Sequence, residues 1–222
     1  MSNMKIGIVG AGKIGGMLTR RLTKLGHRVA VANSHGPESL KNLAQETGAT
    51  PVDVREAIRG KDIVIIAIPE KNIRDLPKDL FRDVSPTTVV VDTGNYYPKQ
   101  RDGRIDEIEQ GLPESRWVER QIGHSVVKAF NNMYAQHQMD LGKPKRDPNR
   151  IALPVAGDDP GAKAKVMQLL DDLGFDAVDG GSLDESWRQQ PGTPVYTADL
   201  DAAGTRRVLR EATRERSPEW RA

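Results

Sequence analysis

The chain has no cysteine, which removes disulfides, thiolate metal sites, iron–sulfur clusters and cysteine nucleophiles in one step. Aromatic residues are scarce, at 5% of 222 residues, and the four histidines (His27, His35, His124 and His137) show no triad or metal-ligand spacing. Long hydrophobic runs are missing too. Ile63–Ile68 is among the longest, far short of the ~20 residues a membrane helix needs, so no membrane span is expected. No charged-then-apolar leader precedes the first apolar run, so no secretory signal is expected and a cytoplasmic location is. Nor does one sign of charge dominate: 33 Lys+Arg stand against 31 Asp+Glu, which leaves no general nucleic-acid footprint. The basic-leaning stretch from Arg206 to Arg221 reads as a solvated helix, with Arg207 and Glu211 spaced to attract. A phosphate-binding tail is the sharper alternative there.

What is present is a regular alternation of short apolar runs and amphipathic segments. Lys5–Val9 reads as a buried strand, followed by Ile14, Met17, Leu18, Leu22 and Leu25 at helical spacing up to Gly26. His27–Ala32 is a second strand. Pro37 suits the first turn of a helix carrying Leu40, Leu43 and Ala44 and ending at Gly48. Thr50–Val52 is a short third strand, Asp53 caps a brief helix to Gly60, and Ile63–Ile68 and Thr88–Val91 are the fourth and fifth strands. Ser125–Phe130, Ile151–Ala156 and Phe175–Val178 follow, the last two flanking an amphipathic helix over Gly161–Leu173. Strands without strict alternation, each followed by a helix, predict parallel strands buried on both faces. Right-handed crossovers then give a doubly wound α/β sheet. Residues 1–183 form the sheet domain in this reading, and 184–222 a carboxyl-terminal extension of loop plus polar helix.

Gly10-Ala11-Gly12-Lys13-Ile14-Gly15 follows the first strand and opens the first helix. In that context three glycines have separate tasks. Gly10 permits the tight turn, Gly12 lets backbone approach a pyrophosphate, and Gly15 lets helix pack on strand. The helix N-terminus turns its free N–H groups to the anion. An NAD site normally places an acid at the end of the second strand to hold the ribose hydroxyls. Here the chain reads Ala32-Asn33-Ser34-His35-Gly36. With no carboxylate to repel a phosphate, and Asn33, Ser34 and His35 able to donate to one, NADP is expected over NAD. The ends of the fourth and fifth strands carry Ile68-Pro69-Glu70 and Asp92-Thr93-Gly94-Asn95-Tyr96-Tyr97. Pro69 and Thr93 are placed to line the nicotinamide and Asn95 to reach ribose or carboxamide oxygens, and Ile68 is a further cofactor-binding candidate. The alternative is that Gly94-Asn95 and Pro98 only make a turn.

Beyond the nucleotide turn the catalytic candidates are few. Asn131 and Asn132, past the Ser125–Phe130 strand, are placed to line an acceptor pocket. His124 is a candidate proton donor or an incidental loop residue. Lys128, in an apolar strand, either contacts an anionic acceptor or pairs with a strand-end carboxylate. Trp187 and Arg188 either clamp an anionic acceptor or pack the extension and a dimer contact. Asp158 and Asp159 are explained as helix caps, and no metal is needed.

MKIGIVGAGKIGG, the IVIIAIP strand, SVVKAFNN and AGDDPGAKAKVMQLLDDLGFDAVDGGSL, in this order, resemble the NADPH-dependent coenzyme F420 reductase family. They are similar also to the cytosolic domain of six-transmembrane ferric reductases. The resemblance runs from about Met4 to Leu183. It implies a Rossmann-type, mostly parallel sheet and hydride transfer between NADP(H) and a flavin or 5-deazaflavin (F420, FMN or FAD). It also implies cofactor roles for Gly10, Ala11, Gly12, Lys13, Ile14, Ser34, Pro69 and Ala129. Two departures stand out: the archaeal F420 enzymes usually carry an arginine where this chain has His35, and they end in an apolar helix where this chain has SWRQQPGTPVYT and a charged tail. The expected partners are a small-molecule acceptor and a second copy in a homodimer, with no nucleic acid or membrane. A small carbonyl or imine reductase is the second reading, its pocket completed across a dimer. A non-enzymatic nucleotide sensor is the third.

Overall fold

The computed structural model describes residues 3–222. Five parallel strands come first: β1 (Lys5–Val9), β2 (Arg28–Ala32), β3 (Thr50–Pro51), β4 (Ile63–Ile66) and β5 (Val89–Asp92). Between them lie α1 (Lys13–Lys24), α2 (Lys41–Thr47), entered through a 3-10 turn at Pro37–Leu40, and α3 (Val54–Ile58). After β5 come α4 (Asp106–Glu109), α5 (Glu114–Ile122) and β6 (Val126–Lys128), which adds parallel to β5. The sheet order β3-β2-β1-β4-β5-β6 is that of the doubly wound dinucleotide fold, its order reversing between β1 and β4.

Alternate side chains of one strand point to opposite faces, and here both faces are dry. Ile6, Ile8, Ile63, Ile65 and Val91 face α1, through Met17, Leu18 and Leu22, and face helix α7 (Pro160–Asp172) through Val166, Leu169 and Leu170. Val9, Val64, Ile66, Val90 and Val126 face α3 and α5, through Ala57, Ile58, Trp117 and Val118. That two-sided burial is why the strands read as unbroken β-branched runs. Asp53 and Asp159 cap α3 and α7, accepting from Glu56 N at 2.9 Å and Ala162 N at 2.6 Å. Asp158 does not cap. It accepts from Leu183 N at 2.9 Å and pairs with Arg116.

The sequence reading is corrected beyond β6. The chain turns at Phe130, whose φ of 64° lies in the left-handed region, and runs through α6 (Ala135–Asp140) before β7 (Ala152–Val155). Strand β7 pairs in parallel with β8 (Asp176–Asp179) as a separate two-stranded sheet. Its link to the main sheet is the antiparallel bridge between Lys128 and Ala156. That bridge joins the carboxyl ends of β6 and β7 running in opposite directions, so β7 does not continue the parallel ladder. Helix α8 (Ala202–Glu211) covers this pair, burying Val208 and Leu209 against Ala152, Val178 and Val195.

Candidate functional site

A cleft opens at the carboxyl ends of β1 and β4, where the sheet order reverses. Its floor is the turn between β1 and α1. Gly10 has φ +105°, and a side chain there would overlap the carbonyl of Ala67. A Cβ on Gly15 would overlap the carbonyl of Gly10, so strand and helix touch there through backbone alone. Gly12 is different: a Cβ at that position meets nothing within 4 Å. Gly12 is also the N-cap of α1, with no side-chain cap and no acidic residue in the first turn. The first N–H groups of a twelve-residue helix are thus left for an anion.

Two adjoining cavities meet at Gly12, Ala67, Ile68 and Pro69. One, of about 530 Å³, runs from Gly10 and Ala11 to Asn33, Ser34 and His35 at the end of β2. The Asn33 carboxamide is engaged within its own loop, accepting from His35 N at 2.9 Å and donating to Ser39 Oγ at 2.9 Å. It shapes the turn and leaves the exposed Ser34 and His35 to face a ligand. The other cavity, of about 470 Å³, is reached past Lys13 and Ile14 and contains Thr93, Asn95 and Asn131. Both volumes lie in the range of cofactor and substrate sites.

The second cavity is walled by parts of the chain far apart in sequence. Asn131 donates to Asn95 Oδ1 at 3.0 Å and to the Gln189 carbonyl at 2.7 Å, and Gln189 Nε2 donates to Asn131 Oδ1 at 3.0 Å. The hydroxyls of Tyr97 and Tyr196 hydrogen-bond to each other across the opening. Burial, reinforced by this bond, holds the Tyr196 phenol protonated beyond the usual tyrosine range. Trp220 backs both rings at 6.0 and 6.2 Å. Thr197, with φ 59°, donates its N–H to the Asn132 carbonyl at 2.7 Å. Thr197 thus holds a costly backbone conformation in the lining of the pocket, as residues at ligand sites often do. Sequence reasoning missed Tyr97, Tyr196 and Arg101 in this wall. Aromatic residues in loops carry no period that marks them.

Several expected site residues lie elsewhere. Gly15 is packing, as above. Ala129 is fully buried and lines neither cavity. His124 precedes β6 at the end of the sheet opposite the cleft, against Phe81 and the Ser125 carbonyl. Trp187 is stacked between Arg188 and Arg214, and Arg188 is tied to Glu185 and the Leu209 carbonyl, which leaves neither as a clamp.

Lys128 is also absent from the cleft wall, but it organises what lies behind it. Its ammonium is fully buried, 3.0 Å from Asp92 Oδ2 and 2.5 Å from the Gly94 carbonyl. Asp92 further accepts from Ser115 Oγ at 2.7 Å and from Gly94 N at 2.8 Å. Two more carboxyls, Glu70 and Glu114, are fully buried beside this pair with no hydrogen-bond partner among the described residues. Burial and then Asp92 push Glu70 well above the ordinary carboxyl range. Burial lifts Glu114 to about 7, against the pull of Lys128 and Arg216. Burial opposes the charge of Lys128, but Asp92, Glu114 and Glu70 outweigh it and hold the ammonium above its usual value. The cluster therefore holds the Lys128–Asp92 contact beside two carboxyls whose charged form burial disfavours.

A stability profile follows. Glu114 has a folded value near 7 against an unfolded one near 4.5, so between those values the folded state binds more protons and stability falls as pH rises. At about 1.4 kcal/mol per unit, Glu114 accounts for a loss of about 3 kcal/mol between roughly pH 4 and pH 8. Urea unfolding across that range is expected to show this decline, and Glu114→Gln to make it shallower, with Glu70 still contributing in the same direction. Stability that is level or rising over the same range in the unmodified protein removes this account.

The sheet order, the glycine turn and the cleft at the reversal point define a Rossmann-type dinucleotide-binding protein. A family model described as NADP oxidoreductase, coenzyme F420-dependent, matches residues 5–96, and the chain belongs to that family. SMa0349 of Sinorhizobium meliloti is 30% identical and superposes with a TM-score of 0.75, covering 90% of this chain and 95% of its own. A protein of Arthrobacter sp. FB24, to which F420-dependent NADP reduction is ascribed, shares the fold at a TM-score of 0.62 and 21% identity, over 82% of this chain and 86% of that one. YjhV of Escherichia coli (strain K12) is 52% identical over 60 residues, 27% of this chain and 44% of that relative. The chain thus spans less than half the length of that curated relative. No described helix is long and apolar enough to cross a membrane.

Proposed function

We propose that this chain transfers a hydride between NADP(H) and a flavin or 5-deazaflavin held in the second cavity. The observation that carries the reading is the continuity of the two cavities through Gly12, Ala67, Ile68 and Pro69. A dinucleotide laid across the glycine turn brings its nicotinamide to the point where the second chamber begins. The chain fits such a group: the open side of Gly12, the uncapped start of α1 and Lys13 receive the diphosphate. Ser34 and His35 receive the ribose phosphate. NADPH, when bound, supplies the hydride.

The residues around it bind and orient. Pro69 and Thr93 flank the ring, with Thr93 Oγ1 donating to the Ile66 carbonyl at 3.0 Å and so presenting its methyl group elsewhere. The Asn95–Asn131–Gln189 amide network fixes the floor in one hydrogen-bonded arrangement, which reduces the reorganisation needed when an acceptor stacks. Tyr97 and Tyr196 offer a pair of hydroxyls that can hydrogen-bond a polar edge of the acceptor. That pair also favours a second reading, reduction of a small carbonyl or imine, whose oxygen or nitrogen would accept such a bond. Residues 1–183 supply the nucleotide half in either reading, and the extension 184–222 completes the acceptor half through Gln189, Tyr196 and Thr197.

Side-by-side titration is expected to show NADPH bound about 10-fold or more tightly than NADH, the equivalent of about 1.4 kcal/mol from the phosphate contacts. NADPH oxidation is expected with F420, FMN or FAD. Equal affinity for NADH overturns the NADP assignment. Turnover of carbonyls with none of the three ring acceptors replaces the first reading by the second.

A further inference from the structure

We infer that the acceptor carries an anionic group, a carboxylate or phosphate, received by Arg101 at the rim of the second cavity. The inference rests on the reading that the acceptor occupies that cavity. Arg101 sits in the turn Pro98–Asp102 that follows Tyr97. Its guanidinium is held on three sides. Nε donates to Asp102 Oδ1 at 3.0 Å and Nη2 to Asp102 Oδ2 at 2.9 Å. Nη2 also donates to the Asn95 carbonyl, and the face of the group lies 4.8 Å from the Tyr97 ring centre. Nη1 has no partner among the described residues, and the side chain is one-third exposed, 34%.

Asp102 does not cancel this charge toward the cavity. Its carboxylate is fully buried behind the guanidinium and is occupied by Tyr97 N at 2.8 Å and Lys71 N at 3.3 Å. The cavity lining contains no carboxylate. Its charged members are Lys13, at the diphosphate end, and Arg101, at the other. A guanidinium fixed in advance by a buried acid, a carbonyl and a ring loses little freedom on binding an anion. An exposed arginine that served only Asp102 would need neither the Asn95 carbonyl nor the stack on Tyr97. Because Asn95 also belongs to the amide floor, the cation is set in register with the surface on which the acceptor lies.

The test compares acceptors that differ in one anionic group, riboflavin and FMN, alongside the methyl ester and free acid of a short 2-oxo acid. The unmodified protein is expected to show a KM about 10-fold lower for the charged member of whichever pair it reduces. Arg101→Gln is expected to abolish that preference by raising the KM of the charged member about 10-fold relative to that of its uncharged counterpart. A second readout does not depend on turnover. Inorganic phosphate titrated calorimetrically into the NADP complex is expected to bind the unmodified protein, and Arg101→Gln about 10-fold more weakly. Turnover without a charge preference, or a preference that survives Arg101→Gln, overturns the inference and leaves the proposed reaction standing. Absence of all turnover with Arg101-dependent phosphate binding does the reverse. Absence of phosphate binding by the unmodified complex counts against the inference whatever the acceptors show.

Discussion

Gly12→Val is expected to leave thermal stability within about 2 °C of the unmodified protein and to weaken NADPH binding by about 100-fold or more. The two halves have separate causes. Stability is spared because a Cβ at this position meets nothing within 4 Å, and the φ of −72° there is not in the left-handed region that favours glycine. Binding is lost because the open side of Gly12 is where a diphosphate approaches the first N–H groups of α1. Two charge-assisted hydrogen bonds, at about 1.5 kcal/mol each or more, convert to roughly 100-fold in Kd. The neighbouring glycines give the opposite pattern. Gly10→Ala and Gly15→Ala each force a Cβ into a backbone carbonyl and are expected to reduce stability directly. Thermal unfolding and fluorescence titration of the three variants separate these outcomes. Gly12→Val protein that binds NADPH as tightly as the parent would falsify the placement of the dinucleotide.

Lys128→Met is expected to cost about 3–5 kcal/mol, the usual consequence of removing one partner from a buried ion pair. The lysine is the cation nearest three buried carboxyls, Asp92, Glu70 and Glu114. Without it Asp92 keeps only the Ser115 hydroxyl and Gly94 N–H as partners. The loss is expected to be largest at alkaline pH, where the glutamates can no longer relieve the cluster by staying protonated. Asp92→Asn in the same chain is expected to restore part of the stability, since it removes the charge left alone while keeping an oxygen for Gly94 N and an amide toward which the Ser115 hydroxyl can turn as acceptor. Denaturant unfolding of the two single variants and the double variant measures the coupling. Additive losses, or a Lys128→Met protein as stable as the parent at pH 8, dispose of the cluster as the support of the cleft wall. That support matters for function because Lys128 grips the Gly94 carbonyl, and Gly94 and its neighbours Thr93 and Asn95 form the wall of the second cavity.

Much of the architecture is legible in the chain because it depends on neighbours. Strand runs, helix spacing and the caps Asp53 and Asp159 are set within a few residues of each other, and each appears where its local chemistry requires. The exceptions among helices are α4, α6 and α5, and in α5 the buried Trp117, Val118 and Ile122 are interleaved with charged residues over nine positions, too short a span to show a clear period. Its first residue, Glu114, is one of the buried acids, so the unseen helix and the unseen cluster are one omission.

By itself, then, the sequence determined the nucleotide turn, the parallel βα order and the family, since these rest on consecutive residues whose conformational and burial demands are fixed locally. Only the tertiary structure decided that Lys128 stands opposite Asp92, a pairing set by the parallel register of β5 and β6. The same holds for the departure of β7 from the main sheet and for the meeting of Tyr97 with Tyr196. Contacts between residues separated by dozens of positions leave no spacing along the chain. They come into being when strands align and the carboxyl-terminal segment returns beside β6, and the wall of the second cavity is made of such contacts.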